Sequence, residues 1–197
     1  MATMETKMNV TQYEINKGAV TNIIRVVFII IAASSTPLAY AHAIAQQNAN
    51  ECLSYTEKIW GTPRALILAV HEVEGGKPGA IAWNKNRTYD MGPMQFNSAT
   101  VSGLTKYGVN EEQMRNSECA SIYVAGWMLA ESARKHGDWR LAIAAYNCGD
   151  ECVAKAIKKR NSAFNDVSEL DIPKSTKTTY VPKVMTAWRK HAGVLNK

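Results

Sequence analysis

The segment 63–74, PRALILAVHEVE, is apolar on nearly every side when it is placed on a helix, and two glycines follow it. A helix of this kind must be enclosed by other elements, because an apolar surface all round is stable only inside a domain. Thr62 is the predicted N-cap, Pro63 the first helical residue, and Gly75 and Gly76 the stop. We therefore predict a domain built around this helix.

Two carboxylates stand at the end of the predicted helix. Glu72 and Glu74 are two residues apart, about 200° around the axis, so they face opposite sides and do not form a pair. Both sides are apolar, and periodicity alone does not choose between them. A carboxyl group in a last helical turn faces the negative end of the helix dipole, and apolar surroundings raise its pKa further. Such a group suits proton donation to a glycosidic bond, although a surface glutamate at a fraying helix end fits the same position.

The rest of the domain reads as a run of helices with one loop-rich stretch. Residues 77–97 are rich in Pro, Gly, Asn and Asp, and part of this stretch, NRTYDMGPMQF, could pair as short strands. Later helices are predicted after the cap Asn110, from about Ser117 to Gly137, after the cap Asp138, and through Val181, Val184, Met185 and Trp188. The chain has 197 residues, 46% of them apolar, which suits one mainly α domain with a loop-rich or small β insert.

The first 43 residues are predicted to be an export signal. Arg25 precedes a short apolar run, residues 26–33, and small residues spaced for cleavage follow at 39–41 and 41–43. The run is short for a membrane span, so cleavage is favoured and an uncleaved anchor is the alternative. The folded domain is then expected to occupy residues 44–197, with the membrane contacted only through the signal segment.

Export also decides how the four cysteines are interpreted. Cys52, Cys119, Cys148 and Cys152 lack the spacing of a metal site, and an oxidising compartment favours disulfides in one of three connectivities. We expect Cys52 to pair with Cys119 and Cys148 with Cys152, while four free thiols are the alternative. The histidines show no ligand spacing either, so no metal or other cofactor is predicted.

Four motifs follow one another along the chain: EGGKPGAIAWN from Glu74, GPMQ at 92–95, AYNCG at 145–149, and TTYVPKVMTAW near the C-terminus. Together they resemble the catalytic signature of the soluble lytic transglycosylases of the lysozyme superfamily, over roughly residues 52–188. The segment CASIYVAGWML stands where that family has its central helix. The combination of Glu-Gly-Gly with YDMGPMQ looks most like the small specialised transglycosylases of conjugation, type IV secretion and type IV pilus systems.

The resemblance implies an α+β lysozyme-like fold and peptidoglycan glycan strands as the substrate. The export signal predicts a periplasmic location. Glu74 would be the catalytic acid and base, forming 1,6-anhydro-N-acetylmuramic acid without water. Substrate contacts are expected from Gln95, Tyr146, Met94 and Asn147. Tyr146 is also a candidate partner for Glu74, Met94 is equally suited to plain packing, and Asn147 equally suits a structural role.

The sequence departs from the family at three positions in these motifs. Gly75 stands where Ser is common, Pro93 replaces Leu, and Cys148 replaces Ala. Asp90 is a candidate second carboxylate for hydrolysis or a residue of a turn, and loop aromatics such as Trp83 either stack on sugars or cap the core. A lysozyme-type muramidase and a non-catalytic glycan-binding scaffold are therefore the alternative functions.

The net charge is +6, and the densest positive run lies at residues 155–160. A basic surface suits peptidoglycan, whose stem peptides carry carboxylates, and equally suits DNA or anionic lipid. With an export signal and no nucleic-acid motif, we expect no nucleic-acid partner. Components of a secretion, conjugation or pilus apparatus are the protein partners that the resemblance implies.

Overall fold

The computed structural model describes residues 49–160 and 166–195, so the predicted export signal lies outside the described residues. The helices are α1 (Ala49–Trp60), α2 (Arg64–Glu74), α3 (Ser98–Leu104), α4 (Glu111–Asn116), α5 (Glu118–His136), α6 (Trp139–Cys148), α7 (Asp150–Arg160) and α8 (Val181–Leu195). The strands are β1 (Ile81–Trp83), β2 (Tyr89–Met91) and β3 (Phe96–Asn97). The predicted mainly α fold with a small β insert after the first long helix is confirmed.

Helix α2 is the centre of the domain, as its apolar sequence predicted. Its residues Leu66, Ile67, Ala69 and Val70 are fully buried, and α8 packs along it. The helix ends where Gly75 adopts a left-handed backbone with φ of 63° and donates its N–H to the carbonyl of His71. Glycine reaches this conformation without the penalty that a Cβ brings, so the glycine stop is confirmed.

The predicted cap of α2 is wrong. The helix begins at Arg64, and Pro63 holds the cap position without any side-chain hydrogen bond. The hydroxyl of Thr62 is buried and donates to the carbonyl of Gly126 on α5 at 2.6 Å. The Thr62 hydroxyl therefore forms a tertiary hydrogen bond instead of the N-terminal cap of α2 that the local sequence predicted.

Helix α5 is the second long element of the core, and it lies against α1 and α6. Gly126 is required at the crossing with α1, because a Cβ there would stand 2.2 Å from Cγ2 of Thr56.

The predicted N-terminal caps of α4 and α6, the helices on either side of α5 in the chain, are confirmed. Asn110 and Gln113 form a capping box at the start of α4, and Asp138 accepts a hydrogen bond from the N–H of Arg140 in α6.

The three strands form one antiparallel sheet in the order β1-β2-β3. Trp83 pairs with Tyr89 and Ala82 with Asp90, which places β1 upstream of the segment predicted to pair as strands. Since side chains alternate along a strand, Trp83 and Tyr89 share one face and Asp90 points to the other. The rings of Trp83 and Tyr89 lie 4.8 Å apart, and the Tyr89 hydroxyl donates to Glu111 at 2.6 Å.

Two disulfides join Cys52 to Cys119 and Cys148 to Cys152, the pairs expected from sequence. The first links α1 to the start of α5 across 67 residues, and the second links the end of α6 to the first turn of α7 across four. In the part of the chain that the structure describes, no helix has both the length and the apolar character that a membrane crossing requires.

Candidate active site

Glu74 is the last residue of α2, half-buried against the segment that leads into α8. Burial raises the pKa of its carboxyl from 4.5 to about 7, because a charge at this position loses its hydration. The hydroxyl of Tyr180 donates to Oε1 of Glu74 and lowers this pKa, whereas the negative charge of Asp90 raises it. The net result is a carboxyl group that keeps its proton to a much higher pH than an ordinary glutamate does.

Tyr180 is a site residue that sequence reasoning missed. It ends a wide helical turn, Thr176–Tyr180, that runs directly into α8, and its side chain is buried. Burial strongly raises the pKa of its phenol, with Glu74 adding to the effect, so the hydroxyl remains a proton-bearing donor. The signal in the sequence is the match of TTYVPKVMTAW to the closing helix of the family, which predicts a helix but not the role of its tyrosine.

Glu72 has the opposite environment although it lies one half-turn away. Its carboxylate is exposed and contacts Lys190 at 3.0 Å and His191 at 2.8 Å, both on α8. The hydrogen bonds from Lys190 and then His191 hold the pKa of Glu72 below its ordinary value. A carboxylate held ionised by these hydrogen bonds is unsuited to proton donation, so of the two glutamates Glu74 has the environment of a proton donor, and its catalytic role stays a prediction.

Asp90 lies on the face of β2 that is turned toward the cleft described below. One of its carboxylate oxygens accepts from the Asn84 amide at 3.0 Å, and the other accepts from the Asn97 amide at 2.8 Å. Through these two hydrogen bonds, Asp90 links β2 to β3 and to the residue that follows β1. Trp83 lies on the opposite face of the sheet, so it is not placed to stack on a sugar in the cleft.

The loop after Glu74 packs directly on the GPMQ turn. A Cβ on Gly76 would stand 2.1 Å from the carbonyl oxygen of Gly92 and 2.7 Å from Nε2 of Gln95, so only glycine fits. A Cβ on Gly92 would stand 2.0 Å from the carbonyl oxygen of Met114. Gln95 adopts a left-handed backbone with φ of 49°, and its amide donates to Gly92 at 2.8 Å. These contacts fix Gln95 beside the end of α2.

The other predicted substrate contacts fall into different roles. Tyr146 lines the cleft, but its hydroxyl donates to the carbonyl of Met94 at 2.9 Å, so the predicted bond from Tyr146 to Glu74 is replaced by that of Tyr180. The side chain of Met94 is fully buried, and the structure favours packing over the predicted sugar contact. Asn147 lines the cleft and also accepts from the hydroxyl of Thr176 at 2.7 Å, which ties α6 to the turn that carries Tyr180.

A cleft of about 660 Å³ connects these groups. Glu74 and Asp90 lie along it with Gln95, Tyr146, Asn147 and Asp150. Its lining combines amide and hydroxyl groups with aromatic and aliphatic side chains, a mixture that suits a carbohydrate with polar edges and apolar ring faces. Among residues 49–160 and 166–195, no group of three or more His, Cys, Asp or Glu side chains could hold a metal ion.

A mainly α domain with a small antiparallel sheet, whose central helix ends in a protonatable glutamate at a polar cleft, defines the class of lysozyme-like glycan-cleaving enzymes. The family model described as Transglycosylase SLT domain matches residues 51–167, more than half of the chain. The chain therefore belongs to the SLT transglycosylase family. It is a lytic transglycosylase, and peptidoglycan is the substrate that this domain implies.

The chain is also similar to several curated proteins. Invasion protein IagB of Salmonella typhimurium is 32% identical over 111 residues, which cover 56% of this chain and 69% of the relative. The X polypeptide of Escherichia coli strain K12 is 26% identical over 121 residues, covering 61% and 72%. A second Escherichia coli X polypeptide is 30% identical over 120 residues, covering 60% and 71%.

Replacement of Tyr180 by Phe is expected to change the pH profile of the enzyme. Because the Tyr180 hydrogen bond lowers the pKa of Glu74, its removal should move the high-pH fall in kcat/KM to higher pH. Loss of the hydroxyl that holds the carboxyl in place should also lower kcat about tenfold. Initial rates on purified glycan strands between about pH 4 and pH 9, a range that brackets the pKa of Glu74, measure both effects.

Tyr146→Phe is the matched control, since Tyr146 donates to the Met94 carbonyl and not to Glu74. This variant should leave the position of the high-pH limb unchanged. A Tyr180→Phe enzyme with the wild-type pH profile would show that Tyr180 does not act on the Glu74 carboxyl.

Proposed function

We propose that the enzyme cleaves the β-1,4 bond between N-acetylmuramic acid and N-acetylglucosamine in peptidoglycan and leaves a 1,6-anhydro ring on the muramoyl residue. The observation that carries the proposal is the half-buried carboxyl of Glu74, with its pKa near 7 and the Tyr180 hydroxyl on Oε1. A single group with this pKa can donate a proton and later accept one at the same pH.

In the first step, protonated Glu74 donates its proton to the glycosidic oxygen as the bond from this oxygen to C1 of the muramoyl residue breaks. The N-acetylglucosamine side leaves with a free 4-hydroxyl. In the second step, the carboxylate accepts the proton of the muramoyl 6-hydroxyl while O6 bonds to C1. Glu74 is protonated again at the end, and no water is consumed.

The second carboxylate in the cleft supports a competing reaction. Hydrolysis with two carboxylates needs a partner acid within roughly 5 to 10 Å of the first, and Asp90 is the candidate because its charge acts on Glu74. Both oxygens of Asp90 already accept amide hydrogen bonds, from Asn84 and Asn97. This arrangement favours a structural and electrostatic role for Asp90, and transglycosylation remains the proposal.

Digestion of purified sacculi in water enriched in oxygen-18 separates the possible outcomes. We expect muropeptides lighter by one water than muramidase products, with no oxygen-18 at the muramoyl end, because O6 replaces water as the nucleophile. Mass spectrometry of the released fragments makes the measurement. Incorporation of oxygen-18 at C1 would identify a muramidase, and glycan binding without any released fragment would identify a scaffold.

We further propose that the chain is exported and acts in the periplasm, opening the wall locally for a secretion, conjugation or pilus machine. The charged and apolar pattern of residues 1–43 and the two disulfides support export. The name of one relative, Invasion protein IagB, supports a role beside such a machine. Recovery of the native protein in the cytoplasm with four alkylatable thiols would contradict the proposed location.

A further inference from the structure

The wide turn Thr176–Tyr180 connects two helices that border the cleft. The residue that begins α8 donates its backbone N–H to the carbonyl of Thr176, which closes one π-helical turn. Such turns are rare, and those that occur are frequently found at functional sites. At the end of the turn, Tyr180 donates to Glu74 on α2. At its start, the hydroxyl of Thr176 donates to Oδ1 of Asn147 on α6 at 2.7 Å. The turn is therefore attached to α6 at one end and to Glu74 at the other.

The hydroxyl of Thr176 lies in the core. Only 1% of the Thr176 surface is exposed, and a buried hydroxyl group is costly when it has no hydrogen-bond partner. The bond to Asn147 satisfies this group and restrains the start of the turn. Thr178, in the same turn, has a different environment: it is exposed, and its hydroxyl donates to the backbone carbonyl of Lys174 within its own segment. The link from the turn to α6 is thus made by Thr176 and not by Thr178.

Asn147 is a well-held anchor for this link, because its neighbours on both sides are fixed to other parts of the chain. The hydroxyl of Tyr146 donates to a backbone carbonyl between β2 and β3 at 2.9 Å. Cys148 is joined by a disulfide to Cys152 in the first turn of α7. The hydrogen bond from Thr176 therefore attaches the turn to a helix end that is itself held in place.

From these contacts, and resting on the proposed function, we infer that Thr176 is a positioning residue that keeps the Tyr180 hydroxyl on the Glu74 carboxyl through its hydrogen bond to α6. Thr176 does not line the cleft, so it acts through the turn and not on the glycan. Without its hydroxyl, the start of the turn is released from α6. The phenol of Tyr180 then holds the carboxyl less firmly, and proton transfer to the glycosidic oxygen is slower.

The groups that act on the Glu74 carboxyl lie on three elements and have opposite effects. Burial and the charge of Asp90 on β2 raise the pKa of Glu74, whereas the hydrogen bond from Tyr180 lowers it. The phenol of Tyr146 on α6 also faces Glu74, whose charge raises the pKa of that phenol. Because the bond from Tyr180 opposes the other effects, a loosened turn should raise the pKa of Glu74.

Thr176→Val replaces the hydroxyl by a methyl group and tests the inference. This variant should lower kcat about threefold with KM unchanged. It should also move the high-pH fall in kcat/KM to higher pH, by less than Tyr180→Phe does. Thr176→Ser keeps the hydroxyl and should restore the wild-type profile. In a Tyr180→Phe background, Thr176→Val should not move the profile further, because two changes that act through one contact are not additive. Thr178→Val removes an exposed hydroxyl from the same turn and is the matched control.

Carbon-13 NMR titration of the labelled Glu74 carboxyl gives a readout that does not depend on activity, and Glu74→Gln assigns its signal. Thr176→Val should raise the pKa of Glu74, and Thr176→Ser should leave it unchanged. If the valine variant does not fold, Asn147→Ala breaks the same bond from the other side and is titrated in its place. An unchanged titration, or an equal shift with and without the Tyr180 hydroxyl, would overturn the inference. A wild-type enzyme that titrates as expected but releases no anhydro product would overturn the proposed function instead.

Discussion

Glu74→Gln is expected to lower the rate of wall digestion by about a thousandfold or more, because in the proposed mechanism this one side chain is both the proton donor and the proton acceptor. The amide fills the same volume as the carboxyl and still accepts the hydrogen bond from Tyr180, so the fold should be retained. Release of soluble fragments from purified sacculi gives the rate, and circular dichroism gives the fold.

The same variant should be more stable than the wild type at high pH. Since the pKa of Glu74 rises from 4.5 to about 7 on folding, the folded state binds the proton more tightly than the unfolded chain. Stability from this group is therefore full below pH 4.5 and is lost as pH rises through 7. Ionised Glu74 then costs about 2 to 3 kcal/mol above pH 7, a cost that Gln does not carry.

Chemical denaturation of both proteins between pH 4 and pH 8, roughly spanning the folded and unfolded pKa values, measures this difference. The two unfolding free energies should agree near the acid end and separate with rising pH. Glu72→Gln is the control, because Glu72 lies on the surface in contact with Lys190 and His191. It should retain wall digestion. An inactive Glu72 variant beside an active Glu74 variant would reverse the assignment.

Removal of the disulfide between Cys52 and Cys119 should lower the stability of the fold much more than removal of the disulfide between Cys148 and Cys152. The bond closes a loop with a sequence separation of 67, and its absence should lower the free energy of unfolding by about 4 kcal/mol through the entropy of the unfolded chain. Replacement of both cysteines by Ala, followed by denaturation under oxidising conditions, measures the change.

The double Ala variant at Cys148 and Cys152 is the matched comparison. Its loop has a separation of only four residues, so the same reasoning predicts a loss of about 2 kcal/mol or less. Both variants lose one disulfide and no charge, and they differ mainly in loop length. Equal losses from the two variants would contradict the loop-closure argument.

Local sequence predicted the parts of the fold that local interactions determine. The left-handed stop at Gly75, the capping box of Asn110 and the cap Asp138 each involve residues within a few positions of one another. The apolar character of α2 also predicted its burial, because apolar residues lie on most of its surface, and Glu72 is the one residue of this helix that is exposed.

The errors have a common physical origin in contacts between distant parts of the chain. Tyr180 lies 106 residues from Glu74 in sequence, and Tyr146 lies 52 from Met94. Periodicity places each tyrosine on a helix but does not say which phenol reaches the carboxyl. Thr62 likewise forms a hydrogen bond to Gly126, 64 residues away, in place of its predicted cap.

The dependence of Glu74 on Tyr180 has a consequence during synthesis. On the ribosome, the segment that carries Tyr180 and α8 emerges after α2 and the other residues that line the cleft. Until that segment packs along α2, Glu74 is exposed to water, and an exposed glutamate is ionised at neutral pH. The raised pKa of the proposed proton donor therefore depends on a later folding step, so that a chain truncated before Tyr180 would carry Glu74 with the pKa of an exposed glutamate.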